Sequence, residues 1–179
     1  MAMAMNLQSG QRAERKLLIT VAEWGSGTPA DREVLGARVE NSSIDLNADI
    51  QTSTDILGKN YTDVNKTQPQ QSLDPSFIIG GSALSEYLFN AVVEDNKAAY
   101  NNTFNVYIIS AFISESTTGQ TPTVHYKTVK HANCSIIPTS VGGDAFVAMP
   151  ITVYFSNDIT KGYVDKLTDD FTFTADVSV

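Results

Sequence analysis

The chain reads as a mainly β protein of the α+β kind: a sandwich- or barrel-like domain with one α-helix and one long hairpin. Three observations predict this. Thr, Ser and Asn are abundant while charged residues make up only 18%, below the usual quarter, a mix that favours strands and turns over long surface helices. The stretch "NSSIDLNADIQTSTDILG", residues 41–58, alternates for 13 residues from Ile44 to Ile56, more than twice the usual strand length of about 5–6. Only one segment, near residues 82–97, repeats apolar residues at helical spacing, and no βαβ rhythm or internal repeat appears.

Taken in order, residues 1–14 are polar with little pattern and read as a flexible arm, made locally basic by Arg12, Arg15 and Lys16. The rest, 15–179, reads as a single domain. "KLLITVAEW", 16–24, is a first strand, and "GSGTPADRE" a loop punctuated by glycines and Thr28-Pro29. A short strand is expected at Val34–Val39. In the alternating stretch Ile44, Leu46, Ala48, Ile50, Thr52, Thr54 and Ile56 fall on one face. Asp45, Asn47, Asp49, Gln51, Ser53 and Asp55 fall on the other, a face without lysine. "LGKN", 57–60, is a turn, and the extended pattern resumes through 61–68 to Pro69, giving a long hairpin. On the return strand Tyr61 and Asp63 oppose Thr62 and Val64 in facing; which pair joins the acidic face depends on the turn register.

Ser82 reads as an N-cap, with Glu86 in the first turn and Leu84, Leu88, Ala91 and Val92 as the apolar stripe of a helix ending near 95–97. This helix is expected to cover the hairpin's apolar face. "NTFNVYIISAFIS", 102–114, is a strand apolar on both faces, and "ESTTGQTPT", 115–123, a hydrophilic loop. "VHYKTVKHANCSII" alternates loosely. "SVGGDA" is a turn, "AFVAMPITVYF" a core strand with Pro150 at an edge or bulge, "SNDITKG" another turn, and "FTFTADV", 171–177, the closing strand.

Bulk properties narrow the function. A net charge of −8 and a pI near 4.6 argue against tight nucleic-acid binding and against anionic membrane surfaces, since both need cations to displace counterions. The single cysteine, Cys134, offers no internal disulfide. No apolar run approaches a membrane span of about 20 residues, and the N-terminal stretch lacks a signal peptide's apolar core, so synthesis in a cytoplasm is expected. The Asn-X-Ser/Thr sequons at Asn41, Asn60, Asn65, Asn101 and Asn133 then reflect an Asn/Thr-rich composition.

A search for catalytic groups returns little. His125, His131 and Cys134 match no metal-ligand spacing. There is no nucleophile elbow, phosphate-binding glycine loop or CxxC pair. Asp45, Asp49 and Asp55 could pair as carboxylates do in glycosidases, but they alternate with Asn, Gln and Ser along a wetted strand rather than in an apolar pocket. No enzyme, cofactor or metal is expected.

The order of the pieces resembles the major tail tube proteins of long-tailed bacteriophages. Four stretches over about residues 16–177 carry the resemblance: "KLLITVAEW" followed by "VLGARVENSSIDLNADIQTSTDILGKNYTDVNKTQPQQSLDP"; the helix "ALSEYLFNAVVED"; "CSIIPTSVGGDAFVAMPITVYFSNDITKG"; and "FTFTADV". The resemblance implies a sandwich-like protomer that closes into hexameric rings, with inner strands forming one shared barrel. The rings stack into a tube located in the virion tail and assembled in the host cytoplasm. It implies a tape measure protein and tail-end and head-completion proteins as partners, and duplex DNA passing through without specific binding. Asp45, Asn47, Asp49, Gln51, Ser53 and Asp55 would then line the lumen. Ile44, Leu46, Ile50 and Ile56 would pack beneath the helix against Leu84, Leu88 and Val92. Arg12, Arg15 and Lys16, with the turn Leu57, Gly58, Lys59 and Asn60, would meet the adjacent ring. Four strands from each of six subunits, about 4.8 Å apart and tilted about 40°, give a backbone diameter of roughly 48 Å. A bore of ~40 Å then leaves about 10 Å around a duplex, near one Debye length. Tubes of contractile tails and type VI secretion share this fold and form the alternative, as does a monomeric β-sandwich binding module, for which Trp24 alone among tryptophans gives little support.

Overall fold

A computed structural model of the chain describes residues 3–25, 27, 30–37, 39, 42–116 and 123–176, with backbone only at residues 65 and 66. The Asn41 sequon, most of the loop expected over 115–123 and Val177 lie outside the described residues. The protein is mainly β with antiparallel sheets and one α-helix, as its composition and alternation predict.

The strands run β1 (Ala4–Met5), β2 (Leu18–Trp24), β3 (Asp31–Val34), β4 (Ile44–Asp45), β5 (Ala48–Thr54), β6 (Asn60–Thr67) and β7 (Gln70–Leu73). Helix α1 (Ala83–Val93) follows, then β8 (Phe104–Ser116), β9 (Val124–Pro138), β10 (Ile151–Tyr154), β11 (Asp158–Val164) and β12 (Phe173–Ala175). β9 is the hub. One of its edges pairs with β8; the other pairs first with β11, over Tyr126–Ala132, and then with β10, over Ser135–Pro138. Between the two, Phe104 pairs with Cys134 but Val106 with His131, and Asn133 takes a positive φ of 56°. Such a bulge bends and twists a strand, and here it carries β9 from one sheet (β3-β2-β8-β9-β11-β12) into a second (β9-β10-β7-β4). The Ser156 carbonyl meets Nδ1 of His131 at 2.9 Å at this corner.

The main core fills the space inside the bend. Ala22, Trp24, Leu73, Phe104, Ile136 and Val153 pack there with Leu84 and Leu88 of α1. Trp24, Tyr87 and Phe104 form a ring cluster with centroids 6.0–6.4 Å apart. Helix α1 starts where two oxygens meet its free amides: Ser82 Oγ accepts from Ser85 N at 3.1 Å, and the Glu33 carboxylate, from β3, accepts from Leu84 N at 3.0 Å. An anion at that end suits the helix dipole, and the contact with β3 sets which face turns inward.

Several expectations are corrected. The arm over 1–14 is not free along its length: Ala4 and Met5 pair with Ser114 and Ile113 of β8, because β2 pairs with β8 only as far as Ser110 and leaves the rest of that edge open to a new partner. β3 falls at Asp31–Val34 rather than Val34–Val39. "SNDITKG" is not a turn; it opens β11, whose Asp158–Gly162 pairs with Ala132–Thr128 of β9. Only Ile151–Tyr154 of the run 145–155 is a strand, and Phe146 and Val147 before Pro150 are exposed. Helix α1 covers β2, β3 and β8 rather than the hairpin. Ile44 does pack against the same core as Leu84 and Leu88, but Leu46, Ile50 and Ile56 are exposed on the projecting hairpin. Val92 lies at the margin, since a turn of about 100° per residue puts it beside the stripe of Leu84, Leu88 and Ala91.

A second, smaller cluster of Val21, Tyr107, Ile109, Val164 and Phe171 lies on the other face of the first sheet. It is tied by Glu23, which is buried and accepts from Asn105 Nδ2 at 2.7 Å, from Tyr107 Oη and from Arg32, 2.6 Å away. Arg32 also donates to the Phe171 carbonyl at 2.7 Å, pinning the C-terminal segment. Burial works to raise the Glu23 pKa, but the bonds from Asn105 and Arg32 and the Arg32 charge outweigh it and hold it below the ordinary 4.5. A lowered folded-state pKa stabilises above the ordinary value and is lost as pH falls through the lowered one. Glu23→Gln is therefore expected to cost about 2–3 kcal/mol at pH 7, with the gap to the unmodified protein narrowing below pH 4.5. Urea melts at pH 7 and pH 3 measure both.

Candidate functional site

The feature that the domain's own core does not explain is the ribbon made by β4–β5 and β6–β7. Its base is rooted. Ile44 and Asp45 pair with Gln71 and Gln70, and the buried Gln71 side chain accepts from Thr20 Oγ1 at 3.0 Å and donates to Ser42 Oγ at 2.9 Å. Beyond the base the expected unbroken 13-residue strand is interrupted. Asn47 takes a positive φ of 45°, a conformation Asn tolerates better than most residues, and the strand divides into β4 and β5. The kink is bridged: Gln68 N donates to the Leu46 carbonyl and Asn47 Nδ2 to the Gln68 carbonyl, both at 3.1 Å.

From there β5 and β6 form a two-stranded sheet of their own, and every residue of β5 is exposed. A bulge between Asp49 and Ile50 fixes the register, with Ile50 opposite Val64, Gln51 opposite Asp63, Thr52 opposite Thr62 and Ser53 opposite Tyr61. Residues directly opposite share a face. One face therefore carries Ile50, Val64, Thr52 and Thr62, and the other Asp49, Gln51, Ser53, Asp63 and Tyr61, with Lys66 at the register position opposite Asp49. The return-strand question resolves in favour of Asp63 and Tyr61 joining the acidic face.

At the far end the ribbon closes in a turn organised by Asp55. Its Oδ1 accepts from Leu57 N at 2.8 Å and Lys59 N at 2.9 Å, and Oδ2 accepts from Tyr61 Oη at 3.2 Å. Gly58 sits at φ 76°, and Gly58 N donates to the Asp55 carbonyl. The bond from Lys59 N, with those from Leu57 and Tyr61, holds the Asp55 carboxyl below its ordinary range against the opposing effect of desolvation. The turn thus presents Ile56, 102% exposed, and Leu57, 82% exposed, on a fixed frame.

The six acidic-face candidates divide by place. Asp49, Gln51 and Ser53 share the open face. Asp45 lies before the kink, where it accepts from Ser43 Oγ. Asn47 and Asp55 are not face residues: one makes the kink, the other the turn. Among the contact candidates, Leu57, Gly58, Lys59 and Asn60 are at or beside the tip. Arg15 is exposed but engaged, donating from Nε to the Ser42 carbonyl at 2.9 Å, and Lys16 pairs with Glu14 at 2.6 Å; Arg12 is exposed.

Elsewhere the histidines and the cysteine sit in packed settings, although His125 Nδ1 and Glu115 Oε2 are buried without a hydrogen-bond partner. His131 packs on Phe155, and His125 stacks on Tyr163 at 4.4 Å. Burial pushes the Cys134 thiol up. Among the described residues no group of three or more His, Cys, Asp or Glu is placed to hold a metal, and no helix is long and apolar enough to cross a membrane. No protein-family model matches the sequence, and no similarity to a curated protein was found.

Asp55→Ala should loosen the tip without unfolding the domain. Amide exchange at Leu57 and Lys59 is expected to rise at least tenfold while exchange in β8 and β9 is unchanged. In the unmodified protein the same acceleration should appear as pH falls below the ordinary carboxyl value of 3.8, where the lowered pKa of Asp55 is crossed.

Proposed function

We propose that this protein is the tube-forming subunit of a long bacteriophage tail. Six copies close into a ring, rings stack, and the ribbons form the wall of a channel that conducts duplex DNA. The observation that carries the reading is the ribbon, a strand pair with Ile50 and Val64 exposed on one face and Asp49 and Asp63 on the other. A lone two-stranded hairpin is marginal in water, and its open edges invite pairing with another chain. Ring closure answers both: neighbouring ribbons satisfy the edges, the Ile50 and Val64 face packs outward against the rest of the ring, and the acidic face turns to the lumen. A wall in which carboxylates and amides outnumber the one lysine position opposite Asp49 offers few phosphate contacts, so DNA slides rather than binds. The partners in this reading are further copies of the chain, a tape measure protein and the proteins that end the tail; its place is the virion.

Two measurements test it. Electron microscopy of the purified protein at high concentration should show tubes with an axial channel of ~40 Å. Tubes of Asp49→Lys with Asp63→Lys should still assemble but retain duplex DNA in a salt-dependent manner, whereas unmodified tubes retain none. Assemblies without a channel, or lysine tubes that hold no more DNA than the original, would overturn the lumen assignment.

A further inference from the structure

A second apolar surface lies at the opposite end of the ribbon from Ile56 and Leu57. Phe77, Ile78, Ile79, Gly80 and Phe146 line an open groove of about 340 Å³. The rings of Phe77 and Phe146 meet edge to face at 6.3 Å, and Phe146 is 76% exposed. Isolated exposed apolar residues need no explanation, but this groove is built. Ile78 N donates to the Val147 carbonyl at 3.0 Å, and Phe77 and Gly142 each bridge to Ala148. Gly143 has φ 149°, and a Cβ there would meet the Phe146 carbonyl oxygen at 2.1 Å. Only glycine lets the loop fold back so tightly and hold Phe146 outward.

The tip cannot reach this groove within its own chain. β6 runs away from the tip, β7 continues in the same direction, and the chain leaves Leu73 toward Phe77, while β10 runs antiparallel so that Ile151 lies beside Leu73. Fourteen residues from Asn60 to Leu73 at about 3.3 Å each separate knob from groove by roughly 45 Å. A knob at one end and a fitting groove at the other, on one chain, define a heterologous head-to-tail contact, which propagates along the ribbon rather than closing a pair.

We infer that the Ile56–Leu57 knob of one copy seats in the Phe77–Phe146 groove of a second copy displaced along the ribbon axis, which in the proposed tube is a copy in the next ring. Volume agrees: a cavity of about 150 Å³ holds one benzene-sized group, so the groove has room for two aliphatic side chains. Charge agrees as well. The tip carries Lys59, and the single acid of the turn, Asp55, is occupied by hydrogen bonds from within the tip. The groove's two segments bear the exposed Asp74 and Asp144, and residues 67–96 and 138–150 contain no Lys or Arg. Two side chains fall well short of the about 1,200–2,000 Å² of a stable interface, so the contact acts as one of several repeated around a ring, where each seated knob raises the effective concentration of the next.

The inference rests on the tube reading for the second copy's place, and cross-linking separates the two. Leu57→Cys and Phe146→Cys proteins, each mutated at an exposed site and each keeping the buried Cys134, are mixed, assembled and oxidised. The expected product is a 57–146 linked dimer at least tenfold over 57–57 and 146–146 dimers, absent from the unmodified protein. Leu57→Asp should leave rings intact, read by sedimentation, while abolishing longer assemblies, and Lys59→Asp should lose them until rescued by Asp144→Lys. Tubes that form without the 57–146 link, or in which like-with-like links dominate, overturn the contact and leave the tube reading standing. The 57–146 link in filaments that have no channel keeps the contact and overturns the tube. Failure to self-associate at any concentration overturns both.

Discussion

Side chains on a ribbon of two strands have nowhere to go but outward, and in this chain that constraint separates what folds alone from what neighbours must complete. The domain proper is closed by β9, whose bulge at Asn133 lets one strand serve two sheets and wrap a core of Trp24, Phe104, Leu73 and Ile136. The ribbon grows from that core at Ile44 and Gln71, where both strands are still tied to it. Past Asn47, among the described residues, no third strand joins the ribbon. Ile50 and Val64 remain 60% and 59% exposed, whereas Ile109, Ile136, Val106 and Val153 in the domain proper are fully buried. Burial of each such side chain is worth about 1.5–3 kcal/mol, a gain the isolated chain leaves unrealised and an assembly can collect.

The balance between alternation and exceptions to it decides how much could be read beforehand. The mainly β class, α1 with its Ser82 cap and the hairpin itself were legible, because Thr-rich alternation and a helical stripe at 84, 88 and 91 each have one strong interpretation. What failed turned on single residues whose role depends on partners distant in sequence. Asn47 fits the alternating pattern by polarity, yet its backbone breaks the strand and its amide bonds to Gln68. Asp55 sits in phase with Asp49 but bonds to the backbone of Leu57 and Lys59. Leu46, Ile50 and Ile56 read as core because an apolar face normally marks one; periodicity reports which residues share a face, not what that face meets. Val147 misled in the same way, since apolar residues at every odd position from 145 to 155 made one strand of a loop and a strand. The loop's signal lay in Gly142-Gly143, a pair that permits a backbone closed to other residues.

Electrostatics set the terms on which such a chain can associate. In the proposed tube six copies at −8 each would carry −48, so bringing rings together would work against long-range repulsion that salt screens over about 8 Å. Cations are few and several are already engaged: Arg32 with Glu23, Arg15 with the Ser42 carbonyl, Lys16 with Glu14 and Lys166 with Asp170. General charge attraction therefore cannot hold the stack. What overcomes the repulsion must be short-ranged and placed at defined points, which is the character of an apolar knob carrying one lysine and meeting an apolar groove flanked by aspartates. In the proposed tube the same arithmetic would let the ribbon's acidic face stay acidic toward the lumen. Its carboxylates need not be neutralised for assembly if the attraction resides at the two ends of the ribbon and the repulsion along its middle, where the duplex would pass.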